Sequence, residues 1–396
     1  MFKSKLPDLG TTIFTTMSAL ANQHVAINLS QGFPNFEVDS RLTELLSRYT
    51  REGYNQYAPM AGVPILREII AEKQNNIYGS QYNPEHEVTV TSGATESIFA
   101  AIAATVSFGD EVIVFEPAYD SYLPAIELNG GVPVYISLSY PDYSVNWDEV
   151  ESKISPKTKL IIINTPHNPS GTILTDHDFQ RLEKIISDRN IFLIGDEVYE
   201  HIIFDGAPHL SLSKSEILRE KSFVCGSFGK TFHITGWKIG YCLAPEKLST
   251  EFRKIHQYLT FSTFTPAQYA LAEYIQDKAN YEKIPQFYQQ KRDLFLSGLS
   301  SSRFQFVPSR GSFFQNLFYG NITEKPDVEL ARELTETIKV ASIPVSVFYH
   351  RKTDDKVLRF CFAKDDETLR KAGELLSELE KKNRILLYYF YRVSVF

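Results

Sequence analysis

The sequence is poor in cysteine and has no excess of basic residues. It contains three cysteines, Cys225, Cys242 and Cys361, which are too few and odd in number for a disulfide framework. Each lies in an apolar stretch, so we expect buried, reduced thiols and a cytoplasmic protein. A net charge of −7 at pH 7 gives no basic surface, and we therefore expect no nucleic-acid partner.

Signals for secretion and membrane insertion are also lacking. The first residues, MFKSKLPDLGTT, have no apolar core of the kind that a signal peptide needs. No stretch approaches the roughly 18 to 20 apolar residues of a membrane span. Residues 385–396, ILLYYFYRVSVF, are too short and contain Arg392. The sequence therefore predicts no membrane association, and its 43% hydrophobic and 22% charged residues are typical of a globular protein.

Short apolar runs alternate with helical patterns from about residue 88 onward. The predicted strands cover residues 88–91, 111–115, 132–138, 160–164, 191–196, 223–225 and 237–243. Runs such as residues 160–163, LIII, do not alternate with polar residues, so these strands should be buried on both faces. This predicts an α/β fold whose mostly parallel seven-stranded sheet lies between helices.

A second, smaller α+β unit is predicted after about Pro266. Helical patterns dominate there, and they are followed by a β-poor patch around residues 311–314. A strand at residues 357–362 and a last helix at residues 367–382 complete this unit.

One lysine stands out between two predicted strands. The turn before it contains Gly226 and Gly229, which allow the backbone to approach a ligand closely. Lys230 follows, three positions after Ser227, and Lys238 lies in an apolar segment where a charge needs a partner. Such a lysine is usually a solvated turn residue, but these neighbours favour a nucleophilic lysine beside an anion site.

Two further segments follow strands, and ligands bind such sheets outside the carboxyl ends of the strands. Residues 92–95, SGAT, form a small-residue turn into a helix, which indicates either a plain N-cap or an anion site. Asn168 lies between Pro166 and Pro169, which fix the backbone around it. Its amide is either part of a simple turn or aimed at a ligand.

Three other polar or aromatic residues have equally open interpretations. Asp196 ends an apolar run, where a carboxylate needs a positive or donating partner or caps a helix. Tyr119 follows a strand and, taken alone, is more typical of packing than of ligand binding. Arg359 interrupts an apolar strand, which fits a structural ion pair or a bidentate clamp for a carboxylate.

One cofactor, pyridoxal 5'-phosphate, would use all of these groups together. It needs a lysine for a Schiff base, a carboxylate for its pyridinium nitrogen and donors for its phenolate oxygen. It also needs an aromatic ring for stacking, and a helix start with serine and lysine for its phosphate. No metal site is expected.

The motifs HNPSG, DEVY, SFGKTF with TGWKIGY, and LRFCFAK resemble those of the class I/II aminotransferases of fold type I. The resemblance covers the chain from about Leu6 to about Leu379. QGFPNF, NQYAPMAG and HQYLTFSTFTPAQ are similar to the branch with bacterial methionine aminotransferases and kynurenine–glutamine aminotransferases. The resemblance implies a large cofactor-binding domain at residues 50–275 and a small domain from both chain ends, residues 1–49 and 276–396.

The resemblance also implies roles for individual residues. Lys230 would be the Schiff-base lysine, and Asp196 would pair with the pyridine nitrogen. Asn168 and Tyr199 would bind the ring oxygen, and Tyr119 would stack on the ring. The residues implied to hold the phosphate are Gly93, Ala94, Thr95, Ser227 and Lys238.

Substrate binding and assembly follow from the same resemblance. Arg359 would clamp the substrate α-carboxylate, with Gly32, Phe33 and Asn168 beside it. Tyr57 would reach the phosphate of the neighbouring subunit, which implies a homodimer. The family often has arginine where this chain has Lys238, and a lysine keeps the charge but loses the planar fork.

The implied activity is transfer of an amino group from an L-amino acid to a 2-oxo acid by a ping-pong mechanism through Lys230. The aromatic candidate pocket residues, Phe14, Phe33 and Tyr57, favour methionine, aromatic or glutamine-like donors over aspartate. A carbon–sulfur β-lyase acting on cysteine conjugates is the alternative on the same scaffold. A DNA-binding regulator is disfavoured because the roughly 30 residues before QGFP are not basic. A nucleotide-binding P-loop is excluded because Val224 occupies the position of its first glycine.

Overall fold

The computed structural model describes residues 3–378. Its helices are α1 (Ile13–Gln23), α2 (Ser40–Arg51), α3 (Pro64–Tyr78), α4 (Gly93–Thr105), α5 (Tyr122–Leu128), α6 (Trp147–Lys153), α7 (Asp176–Ser187), α8 (Glu216–Arg219), α9 (Phe228–Thr231), α10 (Glu246–Leu259), α11 (Thr265–Ile275), α12 (Ala279–Glu282), α13 (Ile284–Gly298), α14 (Asp327–Glu333) and α15 (Asp366–Ser377). Its strands are β1 (Ile27–Asn28), β2 (Val88–Thr91), β3 (Glu111–Glu116), β4 (Val132–Ser137), β5 (Thr158–Asn164), β6 (Phe192–Asp196), β7 (Ser222–Ser227), β8 (Gly240–Leu243), β9 (Phe314–Phe318), β10 (Val340–Ala341), β11 (Ile343–Pro344) and β12 (Val357–Cys361).

Local sequence signals set several helix ends. Helix α3 begins at Pro64, whose missing N–H costs nothing in the first turn, and it ends before Gly79, which adopts a left-handed φ of 71°. Helix α7 begins with a capping box in which Thr175 and Asp178 satisfy each other's free N–H groups. These ends are fixed by residues close in sequence, whatever the helices pack against.

The central sheet has seven strands in the order β2-β8-β7-β6-β5-β3-β4. Strand β8 runs antiparallel to both of its neighbours, and the other neighbouring pairs are parallel. Residues 160–163 of β5 are at most 3% exposed, as their lack of alternation predicts. The predicted α/β fold with a mostly parallel seven-stranded sheet is confirmed.

Two expectations about individual strands were wrong. The strand predicted at residues 237–243 begins only at Gly240, because Lys238 adopts a left-handed φ of 55° that ends the extended backbone. The supposedly β-poor patch at residues 311–314 leads directly into β9, which pairs antiparallel with β12. The side chain of Gln315 in β9 is buried and donates to the carbonyls of Val307 and Asn316.

A second core lies beside the sheet and is built around helices α13 and α15 and strands β9 and β12. The two helices cross closely at a pair of glycines, where a Cβ on Gly298 would lie 3.1 Å from the Cα of Gly373. Buried side chains of this core include Phe295, Leu358 and Phe360.

The domain division at residues 50 and 275 stays a prediction. Leu42 and Leu45 of helix α2 pack in the core of the sheet unit. We therefore propose that α2 belongs with the sheet although most of the helix precedes residue 50. Helix α15 matches the predicted last helix as far as Ser377, and the remainder of that prediction, with residues 379–396, lies outside the described residues.

Within residues 3–378, no helix has both the length and the apolar character needed to cross a bilayer.

Candidate active site

A cavity of about 250 Å³ opens at the carboxyl ends of the sheet strands, between the two cores. Asn164, Asp196 and Ser227 reach it from the ends of β5, β6 and β7, and Gly93 reaches it from the start of α4. Parallel strands end at one edge of a sheet, which is why segments far apart in sequence meet here. The predicted site residues that line this cavity are Gly32, Gly93, Ala94, Thr95, Tyr119, Asn168, Asp196, Tyr199, Ser227, Lys230, Lys238 and Arg359.

Lys230 lies on the single turn of α9, directly after strand β7. Its Nζ atom donates a hydrogen bond to the carbonyl of Gly32 at 3.1 Å. The ring centroids of Phe313 and Tyr199 lie 5.4 and 5.8 Å from the same atom. Burial among these groups lowers the pKa of Lys230 to about 8. A substantial fraction of the amine is therefore neutral near physiological pH, the form in which a lysine acts as a nucleophile or a base.

Asp196 is the last residue of β6 and is fully buried at the cavity wall. Its Oδ2 atom accepts a hydrogen bond of 2.5 Å from the hydroxyl of Tyr122. Its Oδ1 atom is buried and finds no hydrogen-bond partner among residues 3–378. Burial raises the pKa of Asp196 to about 6, against the opposing effect of the hydrogen bonds from Tyr122 and the Val198 N–H. A buried carboxylate oxygen without a partner is costly, so a ligand with a cationic N–H would be stabilised here.

The turn from β2 into α4, together with Lys238, is a candidate anion site, here called the anion turn. Gly93 adopts a left-handed φ of 72° and begins a helix of 13 residues, whose first N–H groups have no partner within the helix. A Cβ atom on Gly93 would lie 3.3 Å from Nζ of Lys238, which places the ammonium group against the turn. Ser227 reaches the same cavity from β7. These N–H, ammonium and hydroxyl groups together suit a phosphate.

A buried pair of side chains supports this turn. The Ser92 N–H donates to Oε2 of Glu96, and Oε1 of Glu96 lies 2.5 Å from Nδ1 of His256. The other ring nitrogen, Nε2 of His256, lies 2.9 Å from the carbonyl of Met60. The pair therefore ties the anion turn to the segment that contains Tyr57.

Arg359 lies at the centre of β12 and is fully buried. Its Nη1 atom donates to Oδ1 of Asn168 at 2.8 Å, and its Nη2 atom donates to the carbonyl of Ser30 at 2.9 Å. The guanidinium carbon lies 3.9 Å from the ring centroid of Phe314. Burial lowers the pKa of Arg359 to about 10, so the group is still charged at neutral pH.

Arg359 can donate further hydrogen bonds to a ligand. Its Nε atom is buried and has no hydrogen-bond partner within residues 3–378, and none of the ion pairs in that part of the chain includes Arg359. The structural ion pair considered for this residue is therefore not formed there. The arrangement is that of a charged group available to an incoming carboxylate.

Comparison with known proteins identifies the family. The family described as aminotransferase class I and II matches residues 25–376. The chain belongs to the class I and II aminotransferases. It is 50% identical to the methionine aminotransferase of Escherichia coli strain K12 over 378 residues, which cover 95% of this chain and 98% of that protein. It is 33% identical to the kynurenine–oxoglutarate transaminase of Dictyostelium discoideum, covering 94% and 95% of the two chains.

Solved structures agree with this assignment. The crystal structure of Escherichia coli YbdL, for which a methionine aminotransferase function was identified, superposes with a TM-score of 0.94 at 49% identity. The match covers 96% of this chain and all of that one. The fold of this aminotransferase is therefore fold type I, and the chain is an enzyme that transfers amino groups.

Two predicted site residues of this aminotransferase lie outside the cavity. Tyr57 is 84% exposed, and its ring packs in a T-shaped arrangement against that of Phe261, with centroids 5.4 Å apart. Phe33 is 45% exposed and lies beneath Lys364, whose Nζ atom is 4.7 Å from the ring centroid. Phe33 therefore does not line the cavity of the single chain. The roles predicted for both residues stay predictions.

Sequence reasoning missed several residues that the fold of this aminotransferase brings to the site. Tyr122 holds Asp196, and Asn164 donates from Nδ2 to the Asp196 carbonyl while its Oδ1 accepts from the Asn168 N–H. Gln31 donates to Ser18 and to the Phe14 carbonyl beside the cavity. Asn164 ends a predicted strand, but that position is only a weak signal because asparagine is common at strand ends. Tyr122 carried no such signal.

The pH midpoint for chemical modification of Lys230 should lie well below that of an ordinary lysine. In the protein free of ligand, reductive methylation of Lys230 should be half-maximal near pH 8, because only the neutral amine attacks an aldehyde and the pKa is lowered to that value. The rate should therefore rise as pH increases from about 6 to 9. Peptide mass spectrometry after brief exposure to formaldehyde and cyanoborohydride measures the rate at which Lys230 is methylated. The Lys230→Ala protein serves to identify the peptide that carries this residue. A midpoint near pH 10, ordinary for lysine, contradicts the expectation.

Proposed function

We propose that this aminotransferase binds pyridoxal 5'-phosphate in the cavity and accepts L-methionine, aromatic or glutamine-like L-amino acids as donors to a 2-oxo acid. The observation that carries the proposal is the unpartnered Oδ1 of Asp196, which faces the same cavity as Lys230 and the anion turn. A pyridinium N–H would satisfy that oxygen, and the turn with Lys238 would hold the phosphate.

The donor set fits this cofactor at each of its polar groups. Asp196 would accept from the ring nitrogen and hold its proton there. Asn168 and Tyr199, both on the cavity wall, would bind the ring oxygen, and Tyr119 would lie against the ring face. Burial raises the pKa of Tyr119 to about 12, so its hydroxyl stays neutral. When bound, pyridoxal phosphate supplies an aldehyde carbon for the amine and a ring that accepts electrons from the substrate Cα.

Lys230 has two tasks in this scheme. When the cofactor is bound, the neutral amine of Lys230 would hold its aldehyde carbon. With a substrate in place, the freed amine would take the proton from the substrate Cα onto Nζ and hold it there for return to the reacting carbon skeleton. Positioned proton transfer of this kind typically contributes about 10²- to 10⁴-fold to the rate.

Arg359 orients the donor by its α-carboxylate. Its two Nη atoms are already held by Asn168 and Ser30, so the planar fork is fixed before substrate enters. Two parallel hydrogen bonds from such a fork align the Cα–H bond towards Lys230. A more flexible cation would attract the carboxylate without fixing its plane.

The cavity wall favours an uncharged donor side chain. Among the described residues that line it, the cations are Lys230, Lys238 and Arg359, and each has a task at the cofactor or the α-carboxylate. Apolar surface comes from Phe14, Phe314 and other wall residues. A side-chain carboxylate would be buried there without a partner, which is unfavourable by several kcal/mol. Similarity to a methionine aminotransferase and to kynurenine–oxoglutarate transaminases supports the same donor class.

We propose that the active form is a cytoplasmic homodimer. Tyr57 is exposed beside Phe261, and the segment that contains Phe261 also leaves Tyr258 at 90% and Phe264 at 52% exposure. Exposed clusters of this kind mark association surfaces. A second copy bound there would bring Tyr57 near the partner's anion turn. The three cysteines are free and buried, which fits a reducing compartment.

A panel of amino donors against one fixed 2-oxo acid tests the donor class. We expect kcat/KM for L-methionine, and for aromatic or glutamine-like donors, to exceed that for L-aspartate by at least about 10²-fold, because the aspartate side chain would be buried unpaired. Coupled measurement of the 2-oxo acid formed gives the values, and D-methionine serves as the control donor. A preference for aspartate would contradict the donor class and leave the family assignment intact.

A further inference from the structure

We propose that a second cavity, here called the rear cavity, binds a small neutral aromatic molecule that carries an N–H or O–H group. It has a volume of about 440 Å³, larger than the active-site cavity and within the usual range of ligand sites. The walls of the two cavities share Asn164 and no other described residue. The rear cavity is therefore a separate space.

Its walls come from both cores. Phe115 and Ile162 contribute from strands of the central sheet, and Val145 contributes from the segment before α6. Phe318 and Val357 contribute from β9 and β12 on the opposite side. A ligand in this space would touch both units and bury its rings against aromatic and aliphatic side chains, which is the main source of affinity for such sites.

The charged groups in the wall of the rear cavity are already paired or exposed to solvent, so they do not favour a charged ligand. Asp178 already accepts hydrogen bonds from Nε1 of Trp147 and from Thr175. Asp142 and Arg310 are exposed to solvent. Burial lowers the pKa of His167 to about 4, so this imidazole is neutral, and its Nδ1 atom lies 2.7 Å from Oγ of Ser170. A neutral ligand therefore avoids the cost of burying an unpaired charge.

Two buried polar atoms in the same wall have capacity for a ligand. Oδ1 of Asn316 and Oγ of Ser309 are buried and have no hydrogen-bond partner among residues 3–378. Among residues 3–378, the amide nitrogen of Asn316 has a long contact of 3.4 Å to the Tyr143 hydroxyl. Buried polar atoms in folded proteins are nearly always paired. Since the Asn316 oxygen can only accept, a molecule that pairs with it has to donate a hydrogen bond.

The rear cavity is also lined by two residues that form hydrogen bonds to Asp196. Tyr122 lines it and donates to Oδ2 of Asp196, and Asn164 donates to the Asp196 carbonyl. A bound ring would contact these two side chains, of which only Asn164 also lines the active-site cavity. The rear cavity thus gives a ligand a direct contact to residues that position the carboxylate.

Calorimetric titration with indole, and with benzothiophene as the isostere without a donor, tests the proposal on the full-length enzyme. We expect one indole per chain, bound about tenfold more tightly than benzothiophene, because the isostere leaves a buried acceptor unpaired. Asn316→Leu should abolish that preference. Val145→Trp should fill the space and weaken both ligands by at least about tenfold.

Several outcomes overturn the proposal. They are absence of indole binding, displacement of indole by saturating L-methionine, and unchanged binding in Val145→Trp protein. A tenfold preference that persists in Asn316→Leu protein overturns the assignment of the acceptor. Thermal unfolding of each variant establishes that it folds, and Asn316→Leu provides the test if Val145→Trp protein does not fold.

Discussion

Replacing Lys230 with alanine should lower kcat for amino transfer by at least about 10³-fold. Lys230 is a partly buried lysine on the cavity wall, its pKa is lowered to about 8, and it is proposed to be both nucleophile and base. Loss of a positioned base alone typically accounts for about 10²- to 10⁴-fold. Steady-state and single-turnover rates with L-methionine measure the effect, and the second isolates the proton-transfer step.

The matched control for this change is Lys247→Ala. Lys247 is exposed on α10, and its removal should leave kcat unaltered. Methylamine should restore part of the single-turnover rate of the Lys230→Ala protein, since the substitution leaves room for a small amine at the position of Nζ. A Lys230→Ala protein that retains more than about a tenth of the wild-type rate would show that Lys230 is not the base.

Replacing Asp196 with asparagine should lower kcat by about 10²- to 10⁴-fold. The change keeps the shape and an acceptor for Tyr122, but it removes the negative charge opposite the proposed ring nitrogen. Breaking a buried charge pair from one side typically costs about 3–5 kcal/mol, which corresponds to this range of rates. Cofactor retention during gel filtration should fall as well, which gives a readout independent of turnover.

Tyr122→Phe separates the charge of Asp196 from its positioning. It removes one hydrogen bond and leaves the carboxylate, so the rate should fall by about tenfold or less. Equal losses in the Asp196→Asn and Tyr122→Phe proteins would mean that orientation of the carboxyl group matters more than its charge. Wild-type turnover by Asp196→Asn protein would remove Asp196 from the proposed mechanism.

Asp196 and Asn164 lie at the carboxyl ends of neighbouring strands, but they differ in how readily the sequence indicates them as site residues. Asp196 is a charge at the end of an apolar run, which is anomalous in the sequence itself. Asn164 occupies the equivalent position on β5, but an asparagine at a strand end has many ordinary explanations. Its bridging of Asp196 and Asn168 became visible only when β5 and β6 were paired in register.

The sequence by itself determined the sheet and the half of the site that lies on strand ends. Unbroken apolar runs require strands buried on both faces, and parallel strands end at one edge, so Asp196, Lys230 and the turn at Gly93 had to meet. The family motifs then predicted their roles. These features depend on local pattern and on the geometry common to all such sheets.

Only the tertiary structure decided the remainder. The partners of Arg359, the hydrogen bond from Tyr122, the left-handed backbone of Lys238, the strand at β9 and the rear cavity all arise where distant segments pack together. Periodicity specifies which face of an element is apolar. It does not specify which polar atom of one element meets which atom of another, because that depends on the relative placement of both cores.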